Sequence, residues 1–333
     1  IMDWSERPSA LLPTNERAPF NFTRASHVVL QVKDLALSRA FYVDTLGFVV
    51  SDETANTIYL RGLEEACHHS LVLEKADQAS CRFVGFRVRL DEELDLVKAH
   101  FEANGLPAAW ANVDHQRRTL HVVDPSGAHV EICANMDTRP RQILAASAFV
   151  GACPLRLDHF QIHTPFVGEA FGFYAGMGFR LSEYIARDGV EEPDAVFLQR
   201  KGNPHDVVFF RNDGPRLHHV AFLAPETYHL MLLCDRLAEA GFGAAVEFGP
   251  QRHFSPGFAR FVYVRDPDGH RIEFFTSHYL TLDSEDEPVR WNVSQLGGGW
   301  GPRPPQSWRN EASPFAGTEV LPANAPNRDA FAR

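Results

Sequence analysis

The sequence predicts an α+β fold made of four βαβββ modules that form two similar domains. Two observations carry this prediction. An alternating strand followed by an amphipathic helix recurs along the chain, and a turn-and-strand segment that ends in a Glu occurs twice. Repetition of this kind indicates a duplicated supersecondary unit. The 333 residues are enough for two cores of ordinary size.

The first and third modules begin with matching segments. RASHVVLQV (24–32) and RLDHFQIHT (156–164) alternate as strands do and carry a His at the same place. Each leads into an amphipathic segment that ends in Gly-Phe, SRAFYVDTLGF (38–48) and GEAFGFYAGMGF (168–179). Because Gly is a common residue after the last turn of a helix, these segments predict a strand followed by a helix.

The second and fourth modules repeat this order. RFVGFRVRL (82–90) and RLHHVAFLA (216–224) have the composition of strands. Helices are predicted after them, in DEELDLVKAHFEANG and PETYHLMLLCDRLAEAG. Strand segments complete each module, so the predicted order is a strand, a helix and about three further strands.

The closing strands of the second and fourth modules match closely. VVDPSGAHVEIC (122–133) and YVRDPDGHRIEFF (263–275) both pass through an Asp-Pro-x-Gly turn into an apolar strand. In both, a Glu lies within that strand, Glu131 and Glu273. A carboxylate on a half-buried strand costs several kcal/mol unless a cation, a proton or a metal satisfies it. Both residues therefore mark candidate polar sites.

The repeats also set the expected domain boundaries. One domain is expected at about 22–140 and a second at about 152–280. Residues 1–21 are expected to form an extended N-terminal arm. Residues 281–333 contain GGGWGPRPPQSW without periodicity, so an irregular tail packed on the body is expected there.

Composition excludes several classes of partner. Hydrophobic residues make up 44% and charged residues 23%, as in ordinary globular proteins, and the net charge is −11. An acidic chain lacks the basic face that nucleic-acid binding needs. The sequence has neither an apolar run of membrane-spanning length nor the pattern of a signal peptide. The five cysteines form no CxxC pair, which favours free thiols and a cytoplasmic protein: Cys67, Cys81, Cys133, Cys153 and Cys234.

Strand register brings three ligand-type residues onto one face. Aligning RLDH with RLHH places His219 in register with His159. Aligning PHDVVFF with GHRIEFF places Val208 at the position of Glu273 and His205 at that of His270. If the last two modules pack by pseudo-twofold symmetry, the two imidazoles and the one carboxylate converge. Such a set is typical of non-haem Fe(II) enzymes that bind substrate and O₂ on one metal.

Simpler interpretations exist for each residue alone. The chain has 16 histidines, and a single strand His is more often a structural residue than a ligand. Glu273 could pair with Arg271 or Arg265. Three such residues at matching repeat positions are far less easily explained by chance, so the metal interpretation is favoured.

These residues resemble the vicinal-oxygen-chelate superfamily, and within it the type I extradiol dioxygenases that open catechols beside the diol. The similarity extends over about residues 22–280 and is closest to the branch that includes homoprotocatechuate 2,3-dioxygenases. Its most specific segments are RKGNPHD (200–206), PRLHHVAF (215–222), GPQRHFS (249–255) and YVRDPDGHRIEFFTSHY (263–279).

The resemblance implies a fold of four βαβββ modules and a set of site residues. The implied metal ligands are His159, His219 and Glu273, and they would hold Fe(II) or alternatively Mn(II). His205 is implied as the acid–base residue; a structural turn His after Asn203-Pro204 is the other interpretation. His253 and Tyr263 are implied to orient the substrate. A catecholic substrate, O₂ and a homo-oligomeric assembly are the implied partners.

The substrate pocket departs from the family pattern. Phe248 stands five residues before His253, where homoprotocatechuate enzymes use an Arg to hold the substrate carboxylate. The arginine pair expected in the tail falls on Gly297–Gly299. We therefore expect a catechol with a neutral substituent, unless Arg252, Arg290 or another Arg compensates. Two further substitutions also predict a reshaped pocket: Gln161 in place of the usual Asn and Phe197 in place of a Trp.

The N-terminal half is expected to lack the metal. It keeps His27 and Glu131, but the alignment places Gly85 at the position of His219. Two remaining ligands bind iron poorly, so we expect both to be structural polar groups.

Two other functions share this predicted fold. A glyoxalase-type isomerase or epimerase typically takes a fourth protein ligand, a Glu, at the position that Val208 occupies here. A non-catalytic drug-binding protein generally lacks the metal triad altogether. Both are therefore less favoured than a dioxygenase.

Overall fold

The computed structural model describes residues 11, 13–145, 153–190, 192–255, 257–283, 285–293 and 297–326. It confirms the α+β fold class: the described chain forms two mostly antiparallel sheets with helices packed on them. Residues 1–10 and 12 of the predicted extended arm lie outside the described residues. No helix in the described ranges is long and apolar enough to cross a membrane.

The first sheet contains two βαβββ modules. The first module comprises β1 (Phe22–Val32), α1 (Leu35–Arg39), which continues as a π-helical turn (Ala40–Thr45), β2 (Val49–Glu53), β3 (Thr57–Arg61) and β4 (Leu71–Lys75). The second comprises β5 (Ser80–Val88), α2 (Glu93–Ala103), β6 (Ala108–Asn112), β7 (Arg118–Val123) and β8 (His129–Cys133). The strand order is β2-β3-β4-β1-β5-β8-β7-β6, so the modules meet along β1 and β5.

The second sheet repeats this arrangement. Its first module comprises β9 (Arg156–Thr164), α3 (Val167–Gly176), β10 (Arg180–Ala186), β11 (Ala195–Gln199) and β12 (Val207–Arg211). Its second comprises β13 (Arg216–Leu223), α4 (Thr227–Glu239), a short 3₁₀ turn (Gly243–Ala245), β14 (Val246–Ser255), β15 (Arg260–Arg265) and β16 (Arg271–Thr276). The central order β10-β11-β12-β9-β13-β16-β15-β14 matches that of the first sheet, and the modules meet along β9 and β13.

Alternation along the strands separates an apolar core from a polar face. On β16, Ile272 and Phe274 belong to the main apolar cluster, whereas Glu273 points to the opposite face. The helices close the core side: Leu230, Leu233 and Leu237 recur at helical spacing on α4 and are all buried in the same cluster. Helix packing thus leaves the opposite face of the second sheet for a site.

The two Asp-Pro-x-Gly turns adopt the same conformation. Gly127 and Gly269 have φ of 88° and 89°, a left-handed conformation that Gly adopts without strain. In the second turn, the buried Asp266 carboxylate accepts hydrogen bonds from the backbone N–H of Asp268 and of His270, at 3.0 and 2.7 Å. The turn therefore fixes where β16 begins and which way Glu273 points.

The segment after residue 280, expected to be irregular, contains short regular elements. They are β17 (Val289–Asn292), β18 (Gly297–Gly298), α5 (Gln306–Asn310) and β19 (Ser313–Pro314). β17 pairs with β10, β18 with β14, and β19 with β13, so the three strands extend the second sheet. Their pairing brings the tail against the polar face.

Candidate active site

Three predicted ligands converge on the polar face of the second sheet. His159 on β9, His219 on β13 and Glu273 on β16 are each no more than 3% exposed. The Glu273 Oε2 atom lies 3.4 Å from His159 Nε2 and 3.1 Å from His219 Nε2. One ligand atom from each residue lies within 4.8 Å of the other two.

The donor set fits a divalent metal. Metal–ligand bonds to His and Glu are about 2.0–2.2 Å long, which separates neighbouring ligand atoms by about 3 Å. The contacts of Glu273 match that spacing. His219 Nε2 is buried and makes no hydrogen bond despite the nearby carboxylate. A buried imidazole nitrogen without a partner is costly unless it coordinates an ion.

The three residues also shift one another's pKa. Burial alone would raise the pKa of the Glu273 carboxyl, but the imidazoles of His159, His219 and His253 outweigh it and hold that pKa well below its usual value. Burial lowers the pKa of His219 to about 4, so its imidazole is neutral at pH 7. A carboxylate beside a neutral imidazole is the protonation state that metal binding needs.

Backbone pairing explains why only one carboxylate is present. Glu273 pairs with Ala221 in the β13–β16 ladder, and Val208 pairs with Gln161 in the β12–β9 ladder. Between the modules, Gln161 pairs with His219 and Ala221 with His159, so a pseudo-twofold exchanges the two halves. Val208 therefore stands where a second carboxylate would stand, as the sequence alignment predicted.

The sequence alignment placed Gly85 at the position of His219 in the first sheet. That prediction is wrong, because the corresponding residue lies two positions earlier. Gly85 pairs with Glu131 and with His27, as Ala221 pairs with Glu273 and with His159. Gly85 thus corresponds to Ala221. Phe83 pairs with Val29 as His219 pairs with Gln161, so Phe83 takes the position of the second imidazole.

His27 and Glu131 of the first sheet are satisfied by hydrogen bonds within that sheet. Glu131 accepts hydrogen bonds from His27 and His121, at 2.8 and 2.7 Å, and from Gln116 at 2.6 Å. Phe83 stacks on the His121 ring with centroids 4.1 Å apart. The ring of His27 also fills the space left by Gly85, since a Cβ there would lie 2.2 Å from its Cε1. These contacts account for both polar residues structurally.

His205 lies in the site and is held there by the loop before β12. Its ring is 1% exposed and its centroid is 4.1 Å from that of His159. Burial and the His159 imidazole lower its pKa well below the usual value. Within the loop, Asn203 Nδ2 donates to the His205 carbonyl at 2.7 Å, and the buried Asp206 accepts from the Arg200 N–H at 2.7 Å. These two hydrogen bonds close the loop, and His205 Nδ1 has no hydrogen-bond partner.

His253 and Tyr263 lie beside the carboxylate. His253 Nε2 is 3.3 Å from Glu273 Oε1 and 3.2 Å from the Tyr263 hydroxyl. Burial and the Glu273 charge raise the pKa of Tyr263 well above its usual value. The Tyr263 hydroxyl is therefore protonated and available as a hydrogen-bond donor.

A cavity of about 730 Å³ opens onto the triad. Phe197 contacts His205 edge-on, with ring centroids 5.4 Å apart, and forms one wall of it. On the other wall, Phe248 lies parallel to Tyr263, with centroids 6.1 Å apart. Gln161 also lines the cavity, and its Nε2 lies 3.3 Å from His163 Nε2. All three predicted substrate-contacting residues thus reach the cavity.

The two arginines considered as substitutes are engaged elsewhere. Arg252 donates to the Phe258 carbonyl at 3.1 Å, and Arg290 pairs with Asp188 at 2.7 Å; neither lines the cavity. The cavity wall does include Arg211, which pairs with Glu192 at 2.8 Å. Two exposed arginines, Arg303 and Arg309, stand in the part of the wall formed by the tail.

Sequence reasoning missed several residues of the site. Asp158 accepts a hydrogen bond from His159 Nδ1 at 2.9 Å, and Asn203 donates to it at 2.8 Å. His278 stacks on Phe275 and lies 4.9 Å from His205, centroid to centroid. Asp158 directly precedes a ligand in RLDH, which was a usable signal. His278 follows the last predicted strand in FFTSHY, where periodicity had ended.

Comparisons with known proteins agree with this geometry. A model of the Glyoxalase/Bleomycin resistance protein/Dioxygenase superfamily matches residues 24–140 and 156–274. A metapyrocatechase of Geobacillus stearothermophilus is 26% identical over 91% of this chain and 97% of its own length. A manganese-dependent 2,3-dihydroxybiphenyl 1,2-dioxygenase of Geobacillus genomosp. 3 is 26% identical over 81% of this chain and 90% of its own.

A solved structure gives the same result at higher identity. The substrate complex of homoprotocatechuate 2,3-dioxygenase from Brevibacterium fuscum, with 3,4-dihydroxyphenylacetate, superposes with a TM-score of 0.86 and 35% identity, over 91% of this chain and 96% of that one. The chain therefore belongs to the Glyoxalase/Bleomycin resistance protein/Dioxygenase superfamily, and within it to the extradiol ring-cleaving dioxygenases.

Proposed function

We propose that this enzyme opens a catechol with an uncharged substituent beside its diol, with O₂, at a metal held by His159, His219 and Glu273. The observation that carries this proposal is the single carboxylate of the site. Because Val208 stands where a second one would be, only three protein ligands would hold the metal, and coordination positions would be left for substrate on the cavity side. A catechol diol and O₂ need three such positions.

The metal would be Fe(II), with Mn(II) as the alternative, since both accept a His₂Glu set. It would supply Lewis acidity toward the diol and a binding position for O₂. Both oxygen atoms would enter the ring-opened product, so the reaction consumes one O₂ for each catechol and needs no external reductant.

His205 is the residue we assign to proton transfer. A diol that binds as a chelate must lose at least one proton, and a neutral imidazole in the cavity can accept it. His205 Nδ1 is free of other partners and its ring lies against His159. It would hold the proton close to the reacting oxygens and return it when the ring opens.

His253 and Tyr263 are assigned to orientation. His253 Nε2 lies 3.3 Å from Glu273 Oε1 and 3.2 Å from the Tyr263 hydroxyl. Phe248 lies parallel to the Tyr263 ring on the same side of the cavity. A hydrogen bond from the Tyr263 hydroxyl to a substrate oxygen would fix the ring angle. Gln161 and Phe197 would shape the opposite wall.

Apolar contacts support an uncharged substituent. Phe248 is 4% exposed and packs between Tyr263 and Trp308. A carboxylate placed against these rings would be desolvated without a cation. A carboxylate that reached the exposed Arg303 or Arg309 would remain hydrated, and exposed ion pairs contribute little.

The setting of the enzyme is also a proposal. None of the five cysteines forms a disulfide, which suits a reducing cytoplasm. Leu280 and Leu282 are 62% and 76% exposed, which supports contact with a second copy in a homo-oligomer. The repeated sheets support domains at about 22–140 and 152–280, joined to the arm and tail.

Substrate comparison tests the proposal. Anaerobically purified protein loaded with Fe(II) is given O₂ and either homoprotocatechuate or a 4-alkylcatechol. We expect a yellow ring-opened product and the higher kcat/KM with the alkylcatechol. A strong preference for the acid would contradict the neutral-substituent assignment, and absence of O₂ uptake with every catechol would contradict the dioxygenase activity.

A further inference from the structure

His218 connects the C-terminal tail to a predicted metal ligand. Its Nδ1 lies 2.7 Å from His219 Nδ1, and its Nε2 lies 2.7 Å from the backbone carbonyl oxygen of Trp308 in α5. Its ring is 1% exposed and meets the Trp308 ring edge-on at 4.8 Å. Two short polar contacts on one buried ring indicate a defined hydrogen-bond chain.

The ends of this chain fix the position of every proton in it. A carbonyl oxygen only accepts, so His218 Nε2 must carry the hydrogen. The His219 Nε2 atom that faces Glu273 needs a free lone pair to bind a metal, so the His219 hydrogen must lie on Nδ1. His218 Nδ1 is then the acceptor between them. One arrangement of protons satisfies both contacts at once.

We propose that His218 is a positioning residue that holds His219 in its metal-binding tautomer and orientation, and that the Trp308 carbonyl in the tail sets this state. The proposal rests on the metal site of the proposed function and assigns part of its control to the C-terminal tail. Without the Trp308 carbonyl, His218 could carry its hydrogen on Nδ1, where it would meet the His219 N–H.

The tail is anchored where this control requires it. Arg271, 2% exposed, donates to the Ser307 and Glu311 carbonyls at 3.2 and 2.9 Å, on either side of Trp308. It also donates to the His218 carbonyl at 2.9 Å. One side chain thus fixes both ends of the Trp308–His218 contact.

The two histidine ligands are supported differently. His159 Nδ1 contacts the Asp158 carboxylate at 2.9 Å, whereas His219 Nδ1 contacts only a neutral acceptor. A carboxylate is a strong acceptor that also makes the imidazole more basic. A neutral imidazole orients its partner without making it more basic, and it accepts a hydrogen bond only in one tautomer. The Trp308 carbonyl, which selects that tautomer of His218, therefore matters for His219.

Three substitutions of one residue separate positioning from packing. His218→Asn keeps an acceptor oxygen near the former Nδ1, His218→Gln keeps a polar group near the former Nε2 only, and His218→Leu keeps neither. Metal-free protein is titrated with Co(II), and the Kd and the visible absorption spectrum of the bound Co(II) are measured without substrate. Metal affinity is thereby read independently of ring cleavage.

We expect His218→Leu and His218→Gln to weaken Co(II) binding by about 10–100-fold, and His218→Asn to remain within a fewfold of wild type. The spectrum should change in the first two variants only. His100→Leu is the control, because His100 packs against Phe20 and Phe173, away from the triad. It should leave Co(II) binding unchanged.

Equal Co(II) affinity in the Asn and Gln variants, or the opposite order, would overturn the proposal, as would an unchanged His218→Leu. If the Leu variant does not fold, the comparison of Asn with Gln alone decides. If neither the wild type nor any variant cleaves a catechol, the proposed function is contradicted. The comparison of Co(II) affinities is unaffected by that outcome.

Discussion

Val208 on β12 occupies the position that Glu273 occupies on β16. The two residues are related by the pseudo-twofold that exchanges Gln161 with Ala221, their partners in the neighbouring strands. A symmetric pair of modules could supply two histidines and two carboxylates. Here one of the carboxylates is an apolar side chain, and this asymmetry leaves the metal site open.

Val208→Glu should close the site. The new carboxylate would face the triad from the position opposite Glu273 and take a coordination position that a catechol needs. We expect Co(II) affinity to be retained, while kcat/KM for catechol cleavage falls at least about tenfold, or 1.4 kcal/mol. Val208→Leu is the control for volume and should keep most activity. Full activity in Val208→Glu would mean that this position does not face the metal.

Phe248→Arg should change the preferred substrate. The arginine would place a cation against the cavity wall now formed by Phe248, Tyr263 and Trp308. A charge-assisted hydrogen bond contributes about 1.5–3 kcal/mol, so the ratio of kcat/KM for homoprotocatechuate to that for a 4-alkylcatechol should rise about tenfold or more. Phe248→Leu should not raise this ratio. An equal rise in both variants would indicate that size, and not charge, limits the acid.

Gly85→Ala should destabilise the first sheet without affecting the metal. The added Cβ would lie 2.2 Å from the His27 ring, which is held by Glu131. We expect a loss of about 1–3 kcal/mol in the free energy of unfolding, measured with urea, because a packed core resists added volume. Gly176→Ala, which meets no atom within 4 Å, is the control and should not destabilise. A stable Gly85→Ala protein would show that His27 can move freely.

Asp124 should make the stability of the enzyme depend on pH. Burial raises the pKa of this carboxyl to about 6, against the hydrogen bonds from Ser126 and Tyr174 that lower it. The folded-state pKa exceeds the unfolded value of about 3.9, so the contribution of the group is present below about pH 4 and is lost as pH rises through about 6. The difference of about two units between the folded and unfolded pKa of Asp124 corresponds to about 3 kcal/mol in the free energy of unfolding.

Comparison with Asp124→Asn isolates this effect. In urea unfolding of metal-free protein, the stability of the variant relative to wild type should rise by about 3 kcal/mol between pH 4 and pH 7. The exposed Asp77→Asn should run parallel to wild type over this range. Parallel curves for Asp124→Asn and wild type would mean that folding does not raise the pKa of Asp124.

The repeats explain why so much of the site could be predicted from the sequence. Two-residue alternation on β9, β13 and β16 decides which side chains share a face, and the motif that contains Glu273 occurs twice for comparison. Aligning the third module with the fourth therefore predicted which residues of the second sheet occupy equivalent positions. His159, His219 and Glu273 lie close together because β9, β13 and β16 are neighbouring strands of this sheet.

The error at Gly85 has a structural cause. β13 begins at Arg216, but β5 begins at Ser80, two residues before Arg82. Matching Arg82 with Arg216 ignored this offset and moved the comparison by two residues. Only the pairing of Gly85 with Glu131 identifies Phe83 as the counterpart of His219.

The contact of the tail with the site could not be predicted in this way. His218 and Trp308 are 90 residues apart, and the segment before Trp308 has no periodicity to place it. Its position depends on carbonyl contacts to Arg271 and on the short pairing of β19 with β13. Backbone atoms make these contacts, so no pattern of residue types in the sequence predicts them.

The stoichiometry of Fe(II) and O₂ is the sharpest test of a single metal site that cleaves catechols. Metal-free protein is titrated anaerobically with Fe(II), a 4-alkylcatechol is added, and O₂ uptake and ring-opened product are measured at each step. We expect a one-metal enzyme: activity that saturates at one Fe(II) per chain, one O₂ consumed per product formed, and no activity in Glu273→Ala. Saturation at two Fe(II) per chain, or undiminished cleavage by Glu273→Ala, would contradict it.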